Sequence, residues 1–317
     1  MQVIEDMFIW VEKYRPQTIV DCILPERLKS FFAQVAKGVC QDAPNMLLSG
    51  GAGCGKTTVA KALCNEMGVD YILINCSEDG NIDTLRTRIR NFASSISLSG
   101  GGKVVILDEF DYANPQSMQP ALRGFMEEFA KNCRFILTCN YKNKIIEPLH
   151  SRCTCIDFRY DSKEKIELSS QFFERTKYIL ENENVVYDNK VLAKLVMKYS
   201  PDFRRLLNEL QRYSTSGNID SGILAESGDI RIEELLNFIK TKNLIEIRKW
   251  VFSNLDNDQS MIFRKIYDSL CEKLDPNSIP TAIIIIADYQ YKSAFVADQE
   301  INMVACITQI TLECSFK

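Results

Sequence analysis

The chain has 317 residues, 46% hydrophobic and 25% charged, which is room for two or three domains with well-buried cores and ordinary for a globular protein. Its net charge is −4, so it does not read as a protein whose whole surface wraps DNA; any nucleic-acid contact must be local or shared with partner chains. The twelve cysteines form no CxxC pair, and Cys153 and Cys155 lack zinc-site spacing, so reduced, buried thiols are expected rather than a disulfide framework or a metal centre.

No signal peptide is legible, because Glu5 and Asp6 interrupt the start before an apolar run forms. The aliphatic run "AIIIIA" (Ala282 to Ala287) ends at Asp288, far short of the roughly 20 residues of a spanning helix. The expectation is a soluble, cytoplasmic protein.

In chain order, "NMLLSG", "YILIN", "VVILDE" and "RFILTCN" read as buried parallel strands. Between them lie helical patterns: Lys56 to Met67, a stripe of Ile82, Leu85, Ile89, Phe92 and Ile96, and a third from about Gln116 to Ala130. Strands joined by crossover helices predict an α/β domain with a parallel sheet. After Phe158 strand signals largely stop. "SKEKIELSSQFFERTKYILEN", "NKVLAKLVMKY" and "FRRLLNELQRY" predict three helices, and the polar, Gly/Ser-rich Ser214 to Asp229 predicts a linker. From Ile230 the pattern is helical again, with Pro276 and Pro280 marking breaks. The expected partition is 1–158, 159–225 and 226–317.

"GGAGCGKTT" carries G-x-x-x-x-G-K-T, from Gly50 through Gly55, Lys56 and Thr57, after a predicted strand and opening a predicted helix. Glycines let successive N–H groups turn inward on phosphate oxygens, and the new helix adds its positive end. Lys56 then reaches the β- and γ-phosphates, and the Thr57 hydroxyl is a ligand for Mg²⁺. "KVVILDEFD" ends a buried strand in Asp108, a candidate for the Mg²⁺ shell, and Glu109, placed to activate water. P-loop kinases bind Mg²⁺ at such a place too, so ATP binding follows more directly than hydrolysis. Asn140, at the tip of "FILTCN", is a candidate to orient water or sense the γ-phosphate, with a strand-end turn former as the competing reading.

"FIWVEKYRP", "GAGCGKTT", "NIDTLRTRIRNFAS", "VVILDEFD", "ALRGFMEEF", "RFILTCN", "SRC" and "PDFRRLLNELQ" occur in the order seen in replication factor C small subunits. The chain thus resembles those AAA+ ATPases, which load ring-shaped sliding clamps onto DNA. "KYRPQTIVDCILP" and "PDFRRLLNELQRYSTSGNIDSGIL" resemble more closely the small (ATPase) clamp-loader subunits of T4-type bacteriophages. The motifs run from about Ile9 to Leu224, and no cysteine-rich zinc module follows the P-loop as it often does in bacterial loaders.

The resemblance implies an α/β AAA+ P-loop module, a helical lid and an all-α collar that holds a ring-like pentamer with a distinct loader subunit. It further implies a sliding clamp and primer-template DNA as partners, ATP and Mg²⁺ as cofactors, and the cytoplasm of an infected host if the gene is a phage's. By position, Val11, Glu12, Lys13, Tyr14 and Ile23 would line the adenine end, and Gly53, Cys54, Gly55, Lys56, Thr57 and Thr58 would hold the phosphates. Asn140 corresponds to the first sensor and Arg204 to the second, with Arg205 its alternate. Arg152, in "SRC", would reach the γ-phosphate held by a neighbouring subunit. The adjacent His150 and Cys153 read as structural, with no triad around them. Arg86 and Arg90, one turn apart, are the expected DNA contacts, with Arg88 further round; a solvated basic face is the competing reading. A loader subunit without turnover, or another AAA+ DNA motor, are the alternative functions.

Overall fold

A computed structural model describes residues 9–78, 82–95, 102–215, 218–219, 232–255, 259–293 and 295–316; the side chains of 82–85, 260 and 271–272 lie outside that description. The chain divides into two compact units, Met1–Ser221 and Gly222–Lys317.

The first unit opens with a one-turn helix, α1 (Trp10–Lys13), followed by α2 (Glu26–Lys37). The α/β part then alternates β1 (Met46–Ser49), α3 (Lys56–Glu66), β2 (Asp70–Asn75), α4 (Ile82–Ser94), β3 (Lys103–Asp108), α5 (Met118–Glu128), β4 (Cys133–Cys139), the short α6 (Glu147–His150) and β5 (Thr154–Asp157). The five strands form one sheet in the order β2-β3-β4-β1-β5, with every pairing parallel.

The central strands β1, β3 and β4 carry mainly apolar runs because both faces of the sheet are covered. Successive residues serve opposite layers. Leu48, Val104, Ile106 and Ile136 pack with Leu28, Phe32, Val59 and Leu63 of α2 and α3. Their neighbours Leu47, Val105, Leu107, Phe135 and Leu137 pack with Ile89 of α4 and Leu122 and Phe125 of α5. Fully burying each such side chain is worth roughly 1.5–3 kcal/mol. The result is a three-layer α/β/α sandwich.

β5 is a strand the sequence reading did not anticipate. It is an edge strand beside β1, with Thr154 and Cys155 exposed and Ile156 buried. A four-residue edge strand with one buried apolar side chain gives no periodic signal.

Three helices follow within the same unit: α7 (Ser162–Asn182), α8 (Asn189–Tyr199) and α9 (Phe203–Ser214). Each starts on an aspartate whose side chain accepts a backbone N–H of the first turn, Asp161 from Glu164, Asp188 from Lys190 and Asp202 from Arg205. Asp161 and Glu164 form a reciprocal capping box. The expected linker departs from its reading at its start: Ser214 ends α9, and Ile219 is buried and bridged to Tyr187 through Ile219 N→Val186 O and Asp188 N→Ile219 O. Most of the remaining linker lies outside the described residues, as do Ile96 and the side chains of Ile82 and Leu85.

In the second unit the described helices are α10 (Ile232–Lys240), α11 (Leu244–Asn254), α12 (Gln259–Lys273), α13 (Ile279–Lys292) and α14 (Gln299–Glu313). They enclose a core that includes Leu235, Ile247, Phe263, Ile266, Ile307 and Ile310. "AIIIIA" lies inside α13, with Ile285 and Ile286 buried and Ile284 70% exposed. Pro276 lies between helices, whereas Pro280 sits in the first turn of α13, where a missing N–H costs nothing. Among the described residues no helix is long and apolar enough to cross a membrane.

Candidate nucleotide site

The sheet order brings the carboxyl ends of β1, β4 and β3 side by side, which is where open parallel sheets bind ligands. A cleft of about 310 Å³ opens there, between the sheet edge, the N-terminal segment and helices α7 and α9. Residues 52–59 line it, with Val11, Tyr14, Ile23, Asp108, Glu109, Asn140 and Arg204.

The loop after β1 works because two of its glycines take left-handed backbone. Gly53 has φ +71° and Gly55, the residue before α3, has φ +89°. A side chain on Gly53 would also collide with the lid, since its Cβ would stand 1.8 Å from Asp202 Oδ1. Lys56 opens α3 and is 8% exposed. Its ammonium donates to Gly50 O at 2.9 Å, Gly51 O at 2.7 Å and Asn140 Oδ1 at 2.9 Å, so the lysine is pinned over the loop and tied to the tip of β4.

Asp108 Oδ1 accepts the hydroxyls of Thr57 at 2.8 Å and Thr138 at 2.5 Å. Thr138 also accepts the Glu109 N–H at 3.1 Å. Glu109 has φ +53°, a conformation that costs a non-glycine residue about 1–2 kcal/mol and is held here by that hydrogen bond. Adjacent hydroxyl and carboxylate oxygens are hard ligands of the kind Mg²⁺ takes, one or two from protein with the rest from water and phosphate. Thr57 and Asp108 therefore fit the ion that the sequence motif implies.

The remaining candidates fall in different places. Glu12 and Lys13 are not among the cleft-lining residues. Glu12 is engaged by Arg15, whose hydrogen bonds hold its carboxyl below the usual range, and Lys13 pairs with Glu183 at 2.6 Å. Arg204 lines the cleft, while the Arg205 guanidinium lies over the Tyr199 ring at 5.5 Å.

Arg152 stands outside its own cleft. It donates to Glu127 Oε1 from Nη2 at 2.7 Å and Nε at 3.1 Å, and to Pro148 O at 3.0 Å. His150 has a structural position, with Nε2 at 3.1 Å from Ile145 O and Nδ1 at 3.6 Å from Cys155 Sγ. The described cysteines are free thiols and buried apart from Cys155, and burial pushes Cys153 up to about 12. On α4, Arg86 and Arg90 are exposed while Ile89 and Ala93 are buried; Arg90 lies 3.9 Å from Glu128 and over the Phe125 ring.

Several lining residues escaped the sequence reading. Thr138 is a polar residue within an apolar strand, two positions before Asn140 and so on the same face, which is the signal that would have found it. Phe172, Arg175, Ile179, Phe203 and Leu207 come from the lid helices, where Phe172 and Phe203 stack at 4.1 Å. Arg15 also lines the cleft and donates to Thr58 Oγ1 at 3.0 Å.

Sheet order, phosphate loop, Thr57–Asp108 pair and Asn140 together define a P-loop ATPase of the AAA+ class. In agreement, the model of the ATPase family associated with various cellular activities matches residues 46–160, and that of the sliding-clamp-loader large subunit, AAA+ ATPase lid domain, matches residues 164–225. The chain is 36% identical over 319 residues to the sliding-clamp-loader large subunit of Enterobacteria phage T4, spanning 99% of this chain and 98% of that protein. It is 36% identical to the same subunit of Escherichia phage RB69, over 96% of each chain. The replication factor C small subunit of Thermofilum pendens is 29% identical, again over 96% of each. The chain belongs to the sliding-clamp-loader large-subunit family of phage AAA+ ATPases, akin to replication factor C small subunits; the phage subunit expected above as small carries the name large in these relatives. Among solved structures, the Holliday junction branch migration motor RuvB of Thermotoga maritima shares the fold alone, at TM-score 0.52 and 16% identity, covering 67% of this chain and 71% of that one.

Proposed function

We propose that this protein is the ATPase subunit of a DNA-replication clamp loader, using ATP binding and hydrolysis to open a sliding clamp and load it on primer-template DNA. In this reading residues 1–158 form the ATPase module, 159–225 the lid, and 226–317 a collar that holds a ring-like pentamer of copies and a distinct loader subunit. The observation that carries it is the cleft itself: Lys56, Thr57, Asp108, Glu109, Asn140 and Arg204 converge on one phosphate loop.

The residues divide the work. Gly53 to Thr58 bind the phosphates, and Val11, Tyr14 and Ile23 line the apolar end for the base. Lys56 and Arg204 stabilise charge on the transferred phosphoryl group. Thr57 and Asp108 hold Mg²⁺, which supplies neutralisation of phosphate charge when bound. Glu109, turned by its left-handed backbone, accepts a proton from water, and Asn140 orients that water. Arg152, held outside its own cleft, acts on the γ-phosphate of a neighbouring subunit. Arg86 and Arg90 track DNA phosphates. ATP favours the closed, DNA-gripping ring and ADP does not, so turnover releases the clamp.

Glu109→Gln tests the reading. It should abolish turnover while ATP binding persists. An active Gln variant, or a wild-type chain that binds no ATP, would remove the proposal.

A further inference from the structure

The segment Trp10–Arg15 is bonded on both sides. Toward the lid, the Trp10 N–H donates to Gln211 Oε1 at 2.9 Å, Tyr14 Oη donates to Glu183 Oε1 at 2.5 Å, and Arg175 Nη2 donates to Tyr14 O at 3.1 Å. Toward the phosphate loop, Arg15 Nη1 donates to Thr58 Oγ1 at 3.0 Å. The same guanidinium grips both oxygens of Glu12 from Nε and Nη2, and the Arg15 side chain is 14% exposed. Such a fork fixes orientation as well as charge.

A guanidinium only donates, so Thr58 Oγ1 must accept from Arg15. The hydroxyl's own hydrogen is then turned away from Arg15. Thr58 lines the cleft from the first turn of α3, directly after the phosphate loop, where the acceptors a ligand brings are phosphate oxygens. We infer that Arg15 is a positioning residue: it presets the Thr58 hydroxyl as a donor to a nucleotide phosphate and links that donor to the lid. The inference rests on the nucleotide-binding reading above. It assigns work to the arginine of "KYRP" beyond the adenine-end residues that precede it, and its effect follows the phosphates, not the base.

The test is calorimetric titration of the full chain with ATP, ADP and adenosine in the presence of Mg²⁺. Four variants are compared with wild type: Arg15→Ala, Arg15→Lys, Thr58→Ala, and the Arg15→Ala/Thr58→Ala double. Arg15→Ala and Thr58→Ala should each weaken ATP and ADP roughly tenfold, as loss of a hydrogen bond to a charged group does, and leave adenosine unchanged. The double variant should be no weaker than the worse single, and Arg15→Lys, which keeps a donor, should recover part of the loss. Losses that multiply in the double variant would show that Arg15 acts independently of Thr58 and overturn the inference. An equal loss for adenosine would also overturn it, as a general disturbance of the cleft. A wild-type chain that binds no ATP defeats the underlying reading instead, so the two failures are distinguishable.

Discussion

Arg152 and Glu127 are bound to each other at 2.7 Å on the surface of the α/β unit, and neither lines the nucleotide cleft. The carboxyl of Glu127 is held below its usual range by the Arg152 hydrogen bond. An arginine outside its own cleft fits the proposed action on a neighbouring chain's nucleotide. An arginine supplied in trans is worth ~10³-fold or more in phosphoryl transfer. Chains carrying Arg152→Ala, mixed with chains carrying Lys56→Ala, should regain ATPase activity at the interfaces that pair an intact Arg152 with an intact P-loop. Steady-state turnover of the mixed assemblies measures this, and no recovery at any ratio would mean that Arg152 acts in cis or not at all.

Gly53 meets two constraints at once, a φ of +71° and contact with Asp202 of the lid. Gly53→Ala therefore adds left-handed strain of about 1–2 kcal/mol and forces the lid aspartate away. ATP affinity should fall at least tenfold, measured by direct titration, while Gly51→Ala, which meets nothing within 4 Å, should be milder.

Glu12 gives the N-terminal segment a pH dependence. Its folded pKa is lowered from the ordinary 4.5, chiefly by the Arg15 hydrogen bond. The ion pair thus contributes stability in full above the unfolded value and loses it as pH falls through the lowered folded value. Its half-exposed position limits the contribution to about 0.5–1 kcal/mol. Glu12→Gln should lower the melting temperature at pH 7 by a few degrees at most, and thermal scans near pH 3 should show that difference shrinking.

Arg86 and Arg90 are exposed one turn apart on α4, flanking the buried stripe of Ile89 and Ala93. If both reach phosphates, the double alanine variant should reduce the slope of log K against log[salt] for the assembled complex. The expected change on duplex DNA is about 0.9 for each phosphate that is no longer neutralised. An unchanged slope would return the pair to the role of a solvated face.

The parts legible in sequence were those whose physics is local. Four strands carry short apolar runs, fully buried in the central β1, β3 and most of β4, and the P-loop glycines announce left-handed backbone. Helices α7 and α8 follow their amphipathic periods to the residue. β5 was not legible, since Thr154 and Cys155 face outward at a sheet edge. Phe172 and Ile179 lie in a predicted helix with no motif around them; only the fold shows that they border the cleft. Arg15 was hidden for a different reason: its partner Thr58 lies far along the chain on α3, and spacing alone carries no such information. Ile219, in a polar stretch, gave no hint that a single backbone bridge would bury it.

The central claim is that this chain turns over ATP as part of a loader that responds to its clamp and DNA. The direct measurement is the steady-state ATPase rate of the complete complex, with and without sliding clamp and primed DNA. The account predicts low turnover by the complex alone and a marked rise when both are added, lost in Glu109→Gln. Absence of turnover in the wild-type complex with both clamp and primed DNA present would contradict it.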